Sequence, residues 1–137
     1  MKPEPGVRLT LITRDLLTPY SGMIPGYIAD RYSEAEAHID LRPLAAFANA
    51  RVIHAAATGL DLAQNFVQVA GRPPVAFDLI SIDTGSTPST AHIEGAEHGL
   101  PVKPIDRFLD AYHRLTDEIR GHDGPFHITV AGGGGGG

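Results

Sequence analysis

Apolar residues recur along the chain in two rhythms, and each predicts a different element. Arg8-Leu9-Thr10-Leu11-Ile12-Thr13 is a short, nearly continuous apolar run, the pattern of a strand covered on both faces. Residues 51–57 repeat it, residues 66–69 give a third strand, and residues 75–83 a fourth built around Phe77, Leu79, Ile80 and Ile82. Ile105, Phe108, Leu109, Tyr112, Leu115 and Ile119 then fall at i, i+3, i+4, i+7, i+10 and i+14, which gives a helix one apolar face. Gly121 and Gly124-Pro125 end that helix, and residues 126–131 read as a last strand.

The connections set the topology. Thr58-Gly59-Leu60-Asp61 and Gly71-Arg72-Pro73-Pro74 carry turn chemistry suited to antiparallel neighbours, so strands two to four predict a β-meander. Residues 14–32 lose the pattern, punctuated by Pro19, Gly22, Pro25 and Gly26. They still hold Leu16, Leu17, Tyr20, Met23, Ile24, Tyr27 and Ile28, too apolar for a solvated linker, so a packed loop is expected. Ser33-x-x-Glu36 has the spacing of a capping box, and Asp40 precedes a short helix carrying Leu41, Leu44, Ala45 and Phe47, with Pro43 tolerated in its first turn. Residues 84–100 are a loop rich in Gly, Ser, Thr and Pro. Strand, meander, helix, strand is the order of an α/β domain, without internal repeat or domain-scale linker.

Composition narrows the chemistry. A chain of 137 residues with 42% hydrophobic and 20% charged residues can build one core. Eleven Lys+Arg against 16 Asp+Glu, a net −5, argue against a nucleic-acid or anionic-lipid partner. A polyphosphate ligand stays open, because backbone amides bind one without a basic patch. With no cysteine, disulfides, thiolate nucleophiles and Cys-rich zinc sites are excluded within the chain, and redox chemistry must come from a bound cofactor. Seven histidines form no HxxxH or HExxH, so surface or strand-end roles are expected for them and no metal. No apolar run approaches a membrane span and the first residues lack a signal segment, which makes cytoplasm the expected compartment. A strand beginning close to Met1 and a chain stopping in residues 132–137, all glycine, read as a piece of a longer protein; the rival is a short chain with a flexible glycine tail.

Two constellations bear on binding. Gly132, Gly134 and Gly137 match G-x-G-x-x-G directly after a predicted strand, where such glycines allow a tight turn, close approach of a pyrophosphate and close helix packing. A glycine homopolymer matches any spacing, so a low-complexity tail stays open as well. In Asp78-Leu79-Ile80-Ser81-Ile82-Asp83-Thr84-Gly85-Ser86-Thr87-Pro88 a buried strand ends in small hydrogen-bonding residues able to bring amides to a phosphate or ribityl chain; a plain strand-to-loop corner is the alternative. Lys103 reads either as a contact to cofactor or substrate or as a lysine snorkelling at a helix entry. Ser33 reads as a cap, and Glu34/Glu36 and Asp117/Glu118 as solvated faces.

Residues 78–88 resemble the D-x-L-x-I-A-T-G-S-x-P strand of FAD-dependent pyridine nucleotide-disulfide oxidoreductases, and residues 128–137 resemble their second, NAD(P)H-binding strand and loop. Leu100-Pro101-Val102-Lys103-Pro104-Ile105-Asp106 is similar to the helix entry between those motifs. Residues 9–26, with Thr18-Pro19-Tyr20-Ser21-Gly22-Met23-Ile24-Pro25-Gly26, most resemble the type II NADH dehydrogenase-like branch, including the flavoprotein module sometimes fused to selenide, water dikinase.

The resemblance implies an α/β fold: a partial FAD/NAD(P)-binding Rossmann-like, three-layer domain with a β-meander, truncated at both ends. Residues 1–125 would be part of the FAD-binding domain and residues 126–137 the start of an NAD(P)H-binding domain. The FAD-cradling first strand and its glycine loop have no counterpart here, and neither has the family's late FAD-contacting Asp motif. Where an acidic residue customarily meets the adenosine ribose stands Thr13, followed by Arg14 and Asp15, so Thr13 or Asp15 would substitute. Pro19 and the residues to Met23 would face the isoalloxazine, the backbone from Ala55 to Ala57 would lie near adenine, and Thr84, Gly85 and Ser86 would close over FAD, with Asp83 in place of the customary alanine. Gly132, Gly134 and Gly137 would hold NAD(P)H. The implied parent is an FAD-dependent NAD(P)H oxidoreductase passing electrons to an acceptor such as a quinone, cytoplasmic or peripheral at the inner membrane face, with this piece inactive alone. A disulfide relay is disfavoured by the missing cysteine. The alternatives are the flavoprotein module of a bifunctional selenide, water dikinase, and a non-enzymatic α/β binding or scaffold protein.

Overall fold

The structure, a computed structural model, describes residues 5–87, 89–90 and 92–132. In chain order these form β1 (Thr10–Thr13), β2 (Leu17–Pro19), a 3-10 turn (Ser21–Met23), α1 (Ile24–Ile28), β3 (His38–Asp40), α2 (Leu41–Phe47), β4 (Arg51–His54), β5 (Ala57–Asp61), β6 (Phe66–Val69), β7 (Arg72–Ala76), a second 3-10 turn (Ala96–His98) and α3 (Ile105–Gly121). They fall into two units. The first holds the chain up to Tyr20 with Ser33–Ile82, the second Ser21–Tyr32 with the chain from Asp83 onward.

In the first unit the aliphatic runs of β1 and β4 pair in parallel, from Thr10 opposite Arg51 to Thr13 opposite His54. The connection between them carries β2 and β3, an antiparallel pair from Leu17 opposite Asp40 to Pro19 opposite His38. Asp40 then caps α2, its carboxylate accepting the Arg42 backbone N–H at 2.9 Å and the Arg42 guanidinium through Nη2 at 2.7 Å. Pro43 lies in the first turn, where its missing N–H would have had no helical partner. Ser33 and Glu36 do exchange capping-box hydrogen bonds, Ser33 N–H to Glu36 Oε2 at 2.8 Å and Glu36 N–H to Ser33 Oγ at 3.3 Å, but they close an isolated turn instead of opening a helix.

The meander exists with its members shifted. Antiparallel β5, β6 and β7 form one three-stranded sheet; the strand read at 51–57 instead supplies β4, which pairs with β1, while residues 58–61 and 72–74, read from sequence as turns, lie within the outer strands. Gly59 belongs to β5 at a register shift beside Ala57, the place where a strand glycine marks a bulge. Pro73 and Pro74 belong to β7, an edge strand on which a missing N–H can face away from the ladder. The true turns are residues 62–65, where Asp61 Oδ1 accepts the N–H groups of Ala63 and Gln64 at 3.0 Å each, and Ala70-Gly71, where Gly71 has φ +65°. Ile53, Val67 and Val69 form the buried centre of this unit, with Ile12, Ala55, Val75, Phe77 and Ile80 packed against it.

Three further expectations are corrected. Residues 14–32 are not a plain loop but hold β2, a 3-10 turn and α1, whose Pro25 sits in its first turn. The fourth strand ends at Ala76; Phe77 N–H still reaches Asn65 C=O at 3.0 Å, but residues 78–83 join no ladder among the described residues, and Leu79 is 93% exposed. Residues 126–131 likewise pair with no strand among the described residues, and Ile128 and Val130 are exposed. In the second unit α3 follows the predicted period, buries Phe108 and Leu109, and places Asp106 in its first turn and Arg120 in its last, each favourable to the helix dipole. Among the described residues no helix is long and apolar enough to cross a membrane.

Candidate functional site

Parallel strands deliver their carboxyl ends to one edge, and in open α/β sheets that edge is where ligands bind. The β1–β4 pair brings Thr13 opposite His54 there, with Arg14 and Asp15 following Thr13, and Ala55 N–H closes the edge by donating to Thr13 C=O at 2.9 Å. Thr13 Oγ1 donates to Asp15 C=O at 2.8 Å, while Arg14 Nε donates to the Asp15 carboxylate at 2.8 Å, an exposed ion pair. Hydroxyl, carboxylate, guanidinium and imidazole therefore share one strand edge, a set able to bind the hydroxyls and charge of a nucleotide sugar. Ala57, exposed, opens β5 three residues past His54. Pro19 is in β2, part of a separate two-stranded sheet. His54 had only a general strand-end reading in sequence; the signal that places it is the parallel register.

In the second unit Thr84, Gly85 and Ser86 are exposed, and Gly85 has φ +75° with nothing within 4 Å of where a Cβ would stand. Glycine serves there for its backbone angle and not for space. Ser86 Oγ accepts a hydrogen bond from Lys103 Nζ at 2.9 Å, so Lys103 is tied to the loop that the resemblance assigns to FAD. Gly132 is extended past the left-handed well at φ +129°, a conformation glycine tolerates; Gly134 and Gly137 lie outside the described residues. Sequence reasoning missed a groove between α1 and α3, where Tyr27 Oη and His113 Nε2 lie 2.7 Å apart and Tyr112 meets Tyr27 edge-on at 6.0 Å. Among the described residues no group of three His, Asp or Glu is placed to hold a metal.

Two carboxyls at caps have shifted ionisation. Backbone and then side-chain hydrogen bonds from Ser33 hold the Glu36 carboxyl below its ordinary value, and the Arg42 guanidinium, then its backbone N–H, do the same for Asp40. These shifts mark capping, not catalysis.

No family model matches the chain, and no curated protein does. Among solved structures it is similar to the X-ray structure of the sulfide:quinone oxidoreductase from the hyperthermophilic bacterium Aquifex aeolicus, with a TM-score of 0.65 and 19% identity over 85% of this chain. What the two share is a fold. This chain is a mixed α/β, partial Rossmann-like arrangement of the kind found in that oxidoreductase, and it spans 27% of that protein's length. Of the sequence-based expectation, the likeness supports the α/β, partial Rossmann-like fold class.

Proposed function

We propose that the chain is part of the FAD-binding domain of an FAD-dependent oxidoreductase, one that takes hydride from NAD(P)H and passes electrons to an acceptor such as a quinone. The observation that carries this reading is the parallel carboxyl edge with Thr13, Arg14, Asp15 and His54, in a fold that matches about a quarter of a quinone-linked oxidoreductase. FAD, when bound, supplies the redox chemistry, and the chain supplies placement. Thr13 Oγ1 and the free lone pairs of the Asp15 carboxylate receive the adenosine ribose, with Arg14 holding that carboxylate in place. The backbone from Ala55 to Ala57 lines the adenine side and Pro19 the isoalloxazine side. Thr84, Gly85 and Ser86 cover the cofactor, and Gly132, Gly134 and Gly137 turn the chain for the nicotinamide nucleotide. Cytoplasmic placement with peripheral contact to a membrane fits a quinone acceptor. No observation favours the kinase-fused or the scaffold reading.

The test is the absorbance spectrum of the full gene product purified with added FAD. Bands near about 375 and 450 nm that survive gel filtration are expected, with retention weakened by Asp15→Ala and by Thr13→Val. A well-folded product that retains no flavin at saturating FAD refutes the reading.

A further inference from the structure

The bond between Lys103 and Ser86 joins the entry of α3 to the Thr84–Ser86 loop, and none of the ion pairs among the described residues involves Lys103. An ammonium group carries three N–H donors. One is spent on Ser86 Oγ, a neutral acceptor, which leaves the charge uncompensated and two donors free. By accepting from Lys103, Ser86 Oγ in turn keeps its own O–H proton for a further acceptor. Thr84 and Thr87 add hydroxyls on either side, and Gly85, at φ +75°, leaves the backbone between them open with no side chain in the way. A half-buried cation tethered to a hydroxyl-rich glycine loop, with no ion-pair carboxylate among the described residues, is arranged for an anionic ligand.

We infer that Lys103, held by Ser86, is the anion anchor of the second unit and takes a phosphate group of the bound nucleotide. The identity of that nucleotide as FAD rests on the reading above; the anchor itself does not. Ser86 acts as the positioning residue, fixing the lysine tip at the loop, while Lys103 supplies the charge. This also separates the two interpretations of Lys103 open in the sequence, since a lysine that merely snorkels at a helix entry has no reason to be tied to a loop 17 residues earlier.

The experiment follows backbone amide resonances of the 137-residue chain during titration with inorganic pyrophosphate, and repeats it with FAD. Saturable shifts confined to residues 84–87 and 103 are expected. Lys103→Met should weaken pyrophosphate binding about tenfold or more, Lys103→Arg should restore most of it, and Ser86→Ala should give an intermediate loss. Unchanged resonances elsewhere in α3 report that each variant is folded. Absence of saturable shifts in the wild type, or equal affinity in wild type and Lys103→Met, overturns the anchor. Pyrophosphate binding that depends on Lys103, with a full gene product that takes no FAD, leaves the anchor standing and removes the flavin. FAD binding that is identical in wild type and Lys103→Met does the reverse.

Discussion

Ile53 is the residue on which the first unit turns. It lies in the middle of β4, opposite Ile12 in the parallel ladder, and packs with Val67 and Val69 of β6 while only 4% exposed. Ile53→Ala removes three carbons from that contact, about 2.4 kcal/mol at roughly 0.8 kcal/mol per buried carbon. The cavity left between two sheets raises the cost to about 3–4 kcal/mol, within the range of such truncations. Ile53→Val, which removes one carbon, should cost about 1 kcal/mol. Phe47→Ala on α2 is the control, because its ring is 71% exposed, and it should change stability by less than about 0.5 kcal/mol. Urea unfolding followed by far-UV circular dichroism reads all three, as a shift in midpoint at constant slope. A loss below about 1 kcal/mol for Ile53→Ala, or one no larger than that of Phe47→Ala, would refute the assignment of the core.

Three other outcomes follow from the same structure. Carboxyl titration by NMR should find Glu36 below its ordinary 4.5 and Asp40 below its ordinary 3.8; both carboxylates therefore add stability above those unfolded values that is lost as pH falls through the lowered folded ones, Asp40→Asn should abolish its pH-dependent share, and Asp40→Ala should also fray α2. Gly71→Ala places a Cβ on a turn residue with φ +65° and should cost about 1–2 kcal/mol by thermal unfolding, even though the added carbon meets no neighbour. Tyr27→Phe removes the 2.7 Å hydrogen bond to His113 and should cost about 1 kcal/mol while moving the His113 ring resonances, and unchanged imidazole shifts would count against that bond.

The elements legible in the sequence are those whose signal is local and repeated. The six apolar positions of α3 span its whole length, so the predicted helix and the observed Ile105–Gly121 agree to the turn. Phe66–Val69 emerges as read, and Asp40 opens α2 as its side chain and Pro43 require. The misreadings share one cause. Gly59 and Pro73-Pro74 carry turn chemistry in isolation, and only strand order reveals that one sits at a bulge and the others on an edge. Residues 17–19 and 24–28 are too short to show any period, so β2 and α1 were invisible inside a stretch that sequence could describe only as apolar and irregular. Residues 78–83 and 126–131 failed the other way, since an apolar run predicts a strand but the ladder needs a neighbour that composition does not name.

The same division explains the site. Thr13, Arg14 and Asp15 are consecutive, so a family resemblance could point to them, whereas His54 joins them only through the parallel register of β4 on β1. Tyr27 and His113 meet across 86 residues, and Lys103 and Ser86 across 17. Each of these pairings depends on a contact the chain must fold to make. The resemblance points to particular loops, while the fold decides which charged groups those loops acquire: an arginine-held carboxylate and an imidazole at one edge, and a lysine tied to one glycine loop. The first arrangement suits the hydroxyls of a nucleotide sugar and the second its phosphates. Asp15→Ala should accordingly weaken adenosine binding and leave pyrophosphate binding unchanged, while Lys103→Met does the reverse. Riboflavin, lacking both moieties, should respond to neither change, and a riboflavin affinity that falls with either substitution would refute this division of labour.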